Sequence, residues 1–215
     1  MKSYIVIGLG LFGMEMATRL YALGEEVLAI DTDEVLVNRI ADRVTRAVTA
    51  DATDADVLDK LGAASFDRAV VAIGTDLAAS ALATMNLKSL KVPYVLCKAQ
   101  NDTHREMLER LGADRVVIPE REMADKLALG LTSVGVMEYI ELSEEYGILE
   151  IKTPLGWEGK TIRELELRSR YGANVLAMRD GDQLKIPPDI DLPIKRKDTF
   201  VVLGRYDMMK KIKAE

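Results

Sequence analysis

A glycine-rich hexapeptide, Gly8-Leu9-Gly10-Leu11-Phe12-Gly13, follows the apolar run Tyr4-Ile5-Val6-Ile7 and opens a stretch of helical period. Glycines at this spacing suit the approach of a main chain to a phosphate. Gly8 would make the tight turn, Gly10 would let the backbone reach the anion, and Gly13 would let the following helix lie close on the sheet. The loop itself carries no lysine or arginine, so N–H groups and the helix dipole would have to hold the charge. Asp31 lies at the end of the next apolar run, Val27-Leu28-Ala29-Ile30. A carboxylate there can accept hydrogen bonds from both ribose hydroxyls and repels a 2'-phosphate, which favours adenosine nucleotides and NAD over NADP. A glycine pattern alone recurs by chance, but a strand, a loop, a helix and a distant acid in this order form a specific signal.

The C-terminal ends of parallel strands share one crevice, so the residues just past each strand are natural ligand contacts. They are Asp31-Thr32, Asp51-Ala52-Thr53, Ala72-Ile73-Gly74-Thr75, Lys98-Ala99-Gln100-Asn101 and Pro119-Glu120. Gly74 would permit close backbone approach, and Lys98 is the cation able to lean over a phosphate. Asp51 and Lys98 read equally well as solvated loop charges. Glu120 is either a carboxylate stabilised by a helix N-terminus or a cation ligand beside nucleotide phosphates. His104, among Asp102, Thr103 and Arg105, reads as a surface residue. The sequence contains no GxSxG, HExxH or CxxC motif and no paired catalytic carboxylates, which leaves hydrolase and metalloenzyme chemistry without a foothold. The enzymatic alternative is a small NAD-dependent oxidoreductase, and it lacks an evident acid/base pair.

Positioning such residues requires repeated β-α units. Val- and Ile-rich runs near residues 4–8, 26–30, 45–49, 67–72, 94–98 and 115–118 alternate with helical patterns near 11–23, 34–42, 54–61, 76–90 and 102–111, several opening on caps such as Asp33, Thr53 or Thr75. Right-handed crossovers then give a Rossmann-like doubly wound parallel sheet of order 3-2-1-4-5-6 over residues 1–119. Residues 120–136 read as a crossover helix and linker. Met123, Leu127, Leu129, Leu131 and Val134 place apolar side chains around that helix, which must be buried or covered by an oligomer partner. Residues 137–215 change texture to a small α+β lobe, with strands near 139–142, 147–152, 174–179, 183–186 and 200–203 and a helix over 162–168.

The 215 residues carry a net charge of −6 with no basic stripe, which argues against a nucleic-acid partner. One cysteine, Cys97, cannot close an internal disulfide and fits a reducing cytosol. Apolar runs are too short to span a bilayer, so the chain reads as soluble.

Taken together, Val6-Ile7-Gly8-Leu9-Gly10 with Phe12-Gly13, Glu26 to Asp31, Val71-Ala72-Ile73-Gly74, Lys98-Ala99-Gln100-Asn101, Leu111 to Val116 and Pro119-Glu120 resemble the regulator of conductance of K+ (RCK) family, in particular its cytosolic Ktr/Trk-type potassium-uptake regulatory subunits. Thr161 to Leu165 and Asp198 to Gly204 resemble that family's C-lobe, so the likeness spans the chain. The resemblance implies a non-enzymatic regulator in which ATP, ADP, AMP or NAD(H) occupies the cleft and changes the shape of a ring. The contacts would come from Gly8 to Gly13, Asp31, Thr32, Asp51, Ala52, Thr53, Ala72, Ile73, Gly74 and Lys98. It further implies a cation at Glu120, dimers assembled into an octameric ring, an integral membrane K+-translocating partner, and a cytoplasmic location at the inner face of the cell membrane. Some relatives bind cyclic di-AMP in the C-lobe, where Arg168 and Asn174 fall in the corresponding stretch. Two positions depart from the pattern: the family often has asparagine where this chain has Asp51, and the other departure lies in the glycine loop. Ktr-type members usually carry arginine after the second glycine, and this chain has Leu11.

Overall fold

The computed structural model describes residues 1–132, 136–143, 145–181, 183–205, 207, 211 and 212. The chain forms two compact units, Met1–Glu122 and Met123–Glu215.

In the first unit, strands β1 (Ser3–Ile7), β2 (Glu26–Asp31), β3 (Arg46–Thr49), β4 (Arg68–Val71), β5 (Tyr94–Lys98) and β6 (Arg115–Val117) alternate with helices α1 (Leu11–Ala22), α2 (Glu34–Ile40), α3 (Ala55–Lys60), α4 (Leu77–Ser89) and α5 (Asp102–Arg110). The six strands pair in parallel in the order β3-β2-β1-β4-β5-β6, the order expected from the β-α repeat. Successive strand residues point to opposite faces. Ile5, Ile7, Leu28, Ile30, Val71 and Val95 therefore pack with Leu58, Ala83, Leu87 and Leu108 on one side. Val6, Val27, Ala29 and Val70 pack with Met14, Ala17, Val37 and Ile40 on the other. A sheet covered on both faces explains why its strands read as unbroken apolar runs.

The helix caps differ in part from those expected. Asp33 caps α2 through the Val35 N–H as anticipated, but Asp54 and Asp76, rather than Thr53 and Thr75, cap α3 and α4 through the N–H groups of Asp56 and Ala79. The Thr53 hydroxyl is instead donated to the Asp51 carboxylate.

Order 3-2-1-4 puts the chain's reversal between β1 and β4, which opens a crevice at their C-terminal ends. Gly13 sets how closely α1 approaches this point. A Cβ there would stand 1.8 Å from the Gly8 carbonyl oxygen and 3.0 Å from the Ala72 Cβ.

Helix α6 (Pro119–Thr132) carries the chain from the first unit into the second. Its Met123, Leu127 and Leu131 are exposed; the Leu129 side chain and Val134 lie outside the described residues. The second unit is an antiparallel sheet of β7 (Val136–Glu141), β8 (Tyr146–Lys152), β9 (Asn174–Asp180), β10 (Gln183–Lys185) and β11 (Thr199–Arg205) in the order β10-β9-β11-β8-β7. β7 begins three residues before the expected 139. Trp157 and Phe200, both fully buried with ring centroids 5.4 Å apart in an edge contact, anchor its core beside Leu165, Tyr171 and Val202. The single helix expected over 162–168 is broken into α7 (Ile162–Leu165) and α8 (Leu167–Tyr171). A Thr161/Glu164 capping box starts α7, and Glu166 in the left-handed region, φ 46°, ends it. No glycine marks that break.

Gly13→Ala forces the Gly8 turn or α1 to move, since backbone cannot yield as a flexible side chain does. Chemical denaturation should show a loss of at least about 1–3 kcal/mol. Unchanged stability would contradict this packing.

Candidate functional site

The cleft grows out of the β1–α1 turn. Gly8 takes φ +89°, and a Cβ on it would press on the Ile73 N–H at 3.0 Å. Its own N–H is donated to the Ile30 carbonyl at 2.9 Å, which ties the turn to β2. Helix α1 then starts from Gly10, an N-cap without a side-chain hydrogen bond. The first N–H groups of a helix have no partner within it, so α1 presents free donors and the positive end of its dipole to the crevice. A Cβ at Gly10 would meet nothing within 4 Å. That open space is where an anionic group fits.

Asp31 has a structural part in the cleft. Its carboxylate accepts the Leu9 N–H at 2.5 Å and the Asp33 N–H at 2.8 Å. It thereby clasps the glycine loop to the end of β2, and each oxygen keeps a lone pair for a hydroxyl.

A cavity of about 700 Å³ gathers Gly8, Gly10, Leu11, Phe12, Asp31, Thr32, Asp51, Ala52, Thr53, Ala72, Ile73, Gly74 and Lys98 on its wall, together with Ile7, Thr75, Asp76, Ala78, Ala79 and Leu82. This size lies within the range of nucleotide and cofactor pockets. Two expected contacts stand off the wall. Leu9 turns a buried side chain inward and spends its N–H on Asp31, and Gly13 serves the packing of α1.

On the β3 side, Asp51 accepts both the main-chain N–H and the hydroxyl of Thr53, at 2.9 and 2.7 Å, and these bonds hold its carboxyl below the usual range. The amide of Asn86, from α4, donates to the carbonyls of Ala52 and Thr53 at 3.2 and 2.9 Å. Asn86 is buried and shapes the cavity edge without touching it. Its position among Ala, Leu and Met in the sequence hid this role, although a polar residue at an inward helical position was the available signal.

On the β5 side, Lys98 is already engaged. Its ammonium bonds Glu120 and lies 5.9 Å from the centre of the Phe12 ring. That hydrogen bond keeps the Glu120 carboxyl below its ordinary range. Glu120 is absent from the cavity wall and reaches the cleft through Lys98. Among the described residues there is no group of three or more His, Cys, Asp or Glu side chains that could hold a metal.

His104 corrects the surface reading. It is 2% exposed, sealed between α4 and the loop after β5, and burial lowers its pKa below the ordinary 6.5. Its neighbours Asp102 and Arg105 pointed outward and disguised it; the spacing to buried Leu108, one helical turn on, was the signal. Cys97 is buried, and desolvation raises its thiol to about 11, so it stays protonated and inert.

In the second unit, Arg168 and Asn174 come together on a separate hollow of about 600 Å³, with Ile162, Pro187 and Ile190 on its wall.

The fold and cleft define a class: a Rossmann-like unit with a crevice at its β1–α1 glycine loop, joined to a small β-rich lobe. TrkA-N domains match residues 4–119 and TrkA-C domains match residues 148–215. The chain is 41% identical over 203 residues to Ktr system potassium uptake protein C of Bacillus subtilis, covering 94% of this chain and 92% of that protein. It is 38% identical over 214 residues to Ktr system potassium uptake protein A of the same organism, covering 100% and 96%. It therefore belongs to the TrkA/Ktr family of potassium uptake proteins. The crystal structure of the GsuK RCK domain superposes with a TM-score of 0.68 at 18% identity, covering 100% of this chain and 48% of that one, so this chain spans about half the length of that structure. The GsuK channel bound to NAD gives 0.67 at 19%, covering 96% and 38%.

Burial sets a pH dependence. An unfolded chain protonates His104 near 6.5, whereas the folded protein resists until lower pH, so the unfolded state binds more protons between the two values. Stability contributed by His104 is present in full above about pH 6.5 and declines as pH falls toward the folded value. Urea midpoints should begin to drop as pH falls below about 6.5, and His104→Asn should flatten the drop. A wild-type midpoint constant down to about pH 5 would contradict the burial.

Proposed function

We propose that the chain is a nucleotide-responsive regulatory subunit of a potassium uptake system. It would act without catalysing a reaction, in the cytoplasm against the inner face of the membrane, beside an integral membrane potassium-translocating subunit. The observation that carries this reading is the Asp31-clasped glycine loop, with uncapped α1 donors and open space at Gly10, in a chain related to Ktr proteins over nearly its whole length.

The residues fit an adenine nucleotide or NAD(H). Gly8 and Gly10 admit the phosphates to the α1 N–H groups. Asp31 accepts the ribose hydroxyls. Ala52, Thr53 and Thr32 border the rest of the cavity. Lys98 supplies positive charge, and an arriving phosphate competes with Glu120 for it. Glu120, once released, gives one oxygen ligand to a cation whose other ligands come from phosphates and water. Binding shifts a conformational equilibrium to the extent that the ligand is held unequally by its states. No titratable side chain other than Asp31, Asp51, Asp76 and Lys98 stands on the described cavity wall, so the oxidoreductase alternative gains no acid/base donor from His104. In the C-terminal unit, Arg168 and Asn174 on their hollow are the residues that a cyclic dinucleotide such as cyclic di-AMP would contact.

Two exposed apolar faces support self-assembly into dimers and an octameric ring: Leu77, Leu82 and Met85 on α4, and Met123, Leu127 and Leu131 on α6. Such faces need a cover. Light scattering at micromolar concentration should report a mass well above one chain, and a monomer would contradict assembly.

Leu11 sits at the cavity mouth, 86% exposed, where an aliphatic side chain offers nothing to a terminal phosphate. Titration calorimetry should give ATP and ADP affinities within about tenfold, a difference below about 1.4 kcal/mol. Leu11→Arg should widen the gap in favour of ATP, and Asp31→Ala should weaken both. ATP binding more than tenfold tighter than ADP in the wild type would overturn the Leu11 argument, and no binding of ATP, ADP, AMP or NAD(H) would overturn the cleft reading.

A further inference from the structure

The chain's one histidine bridges two walls of the cleft from behind. His104 Nδ1 accepts the Gln100 N–H at 3.3 Å, so this nitrogen carries a lone pair and the proton of the neutral ring resides on Nε2. Nε2 lies 3.3 Å from the Ser80 hydroxyl, to which it then donates. The Asn101 side chain accepts the His104 main-chain N–H at 2.9 Å, which fixes the ring's own backbone. Gln100 is two residues past Lys98 on the loop after β5. Ser80 directly follows Ala78 and Ala79, which line the cavity from the first turn of α4. One buried ring therefore fastens the loop that carries Lys98 to the helix that carries the opposite rim.

We infer that His104 is a positioning residue for the nucleotide cleft: as the neutral Nε2–H tautomer it holds the Lys98–Asn101 loop against α4 and keeps the Lys98 ammonium aimed at the cavity. It does not touch the ligand. The alternative of plain core packing is unsatisfactory, because a burial site filled for volume alone would not match one acceptor and one donor to two polar groups on different elements. Asn86 performs the equivalent task on the other flank, so α4 grips both cleft loops through buried polar side chains. The inference rests on the nucleotide reading of the cleft.

Two substitutions separate the two bonds. Asparagine can place Oδ1 near Nδ1 and retain the acceptor for Gln100. Glutamine can place its amide near Nε2 and retain a donor for Ser80. The experiment combines calorimetric titration of the full chain with ADP, thermal melts of wild type, His104→Asn, His104→Gln and His104→Leu, and the nitrogen-15 imidazole spectrum of the wild type, whose single histidine makes assignment unambiguous. The expected spectrum is that of the Nε2–H tautomer. ADP affinity should fall about tenfold in His104→Leu, which loses both bonds, and at least about threefold in His104→Asn and His104→Gln, each of which cuts one end of the bridge, with the Asn and Gln variants melting alike. An Nδ1–H tautomer, wild-type affinity in His104→Gln and His104→Leu, or losses that simply follow melting temperature would overturn the inference. A wild type that binds no ADP, ATP, AMP or NAD(H) overturns the cleft reading and this inference with it, and the ring spectrum distinguishes that failure from a wrong tautomer.

Discussion

The closeness of α1 to the end of β1 is the constraint from which the cleft follows. Gly13 has no Cβ because the Gly8 carbonyl occupies its place, and only that approach brings the uncapped N-terminus of α1 over the sheet edge. Asp31 completes the arrangement by accepting the Leu9 and Asp33 N–H groups. Helix donors, carboxylate and open space at Gly10 are thereby held together before any ligand arrives, so little ordering has to accompany binding.

Two of the remaining walls are held by polar side chains that do not themselves line the cavity. Asn86 holds the 51–53 loop, and His104 connects the loop after β5 to α4. The Lys98–Glu120 pair ties the β5 loop to the start of α6, the helix through which the chain continues into its second unit. A ligand that draws Lys98 away from Glu120 therefore acts on the first turn of that helix. Under the proposed function, this charge exchange would connect occupancy of the cleft to the start of α6.

The sequence revealed the parts set by local rules. The Gly8–Gly13 spacing, the acid at the end of β2 and the β-α alternation are short-range patterns, and strand order followed from crossover handedness. Features that depend on residues meeting from afar stayed hidden. The 22-residue separation of Lys98 and Glu120 hid their pairing, leaving Lys98 as a loop charge or phosphate contact and Glu120 as a helix-end carboxylate or cation ligand. His104 looked exposed because Asp102 and Arg105 flank it, yet helical rotation turns it inward with Leu108. The break at Glu166 escaped notice because left-handed backbone there lacks its usual glycine signal. Leu11 was legible only as a departure from a family pattern, and its exposure at the cavity mouth gives that departure a physical meaning.

The proposed function requires that this cleft hold an adenine nucleotide by main-chain donors and Asp31. Native mass spectrometry of the freshly purified full chain, followed by identification of the released small molecule, tests it most directly. ADP, ATP, AMP or NAD(H) should be associated with the wild type and lost from Asp31→Ala. A released ligand with no adenosine moiety, or the same occupancy in Asp31→Ala, would contradict it.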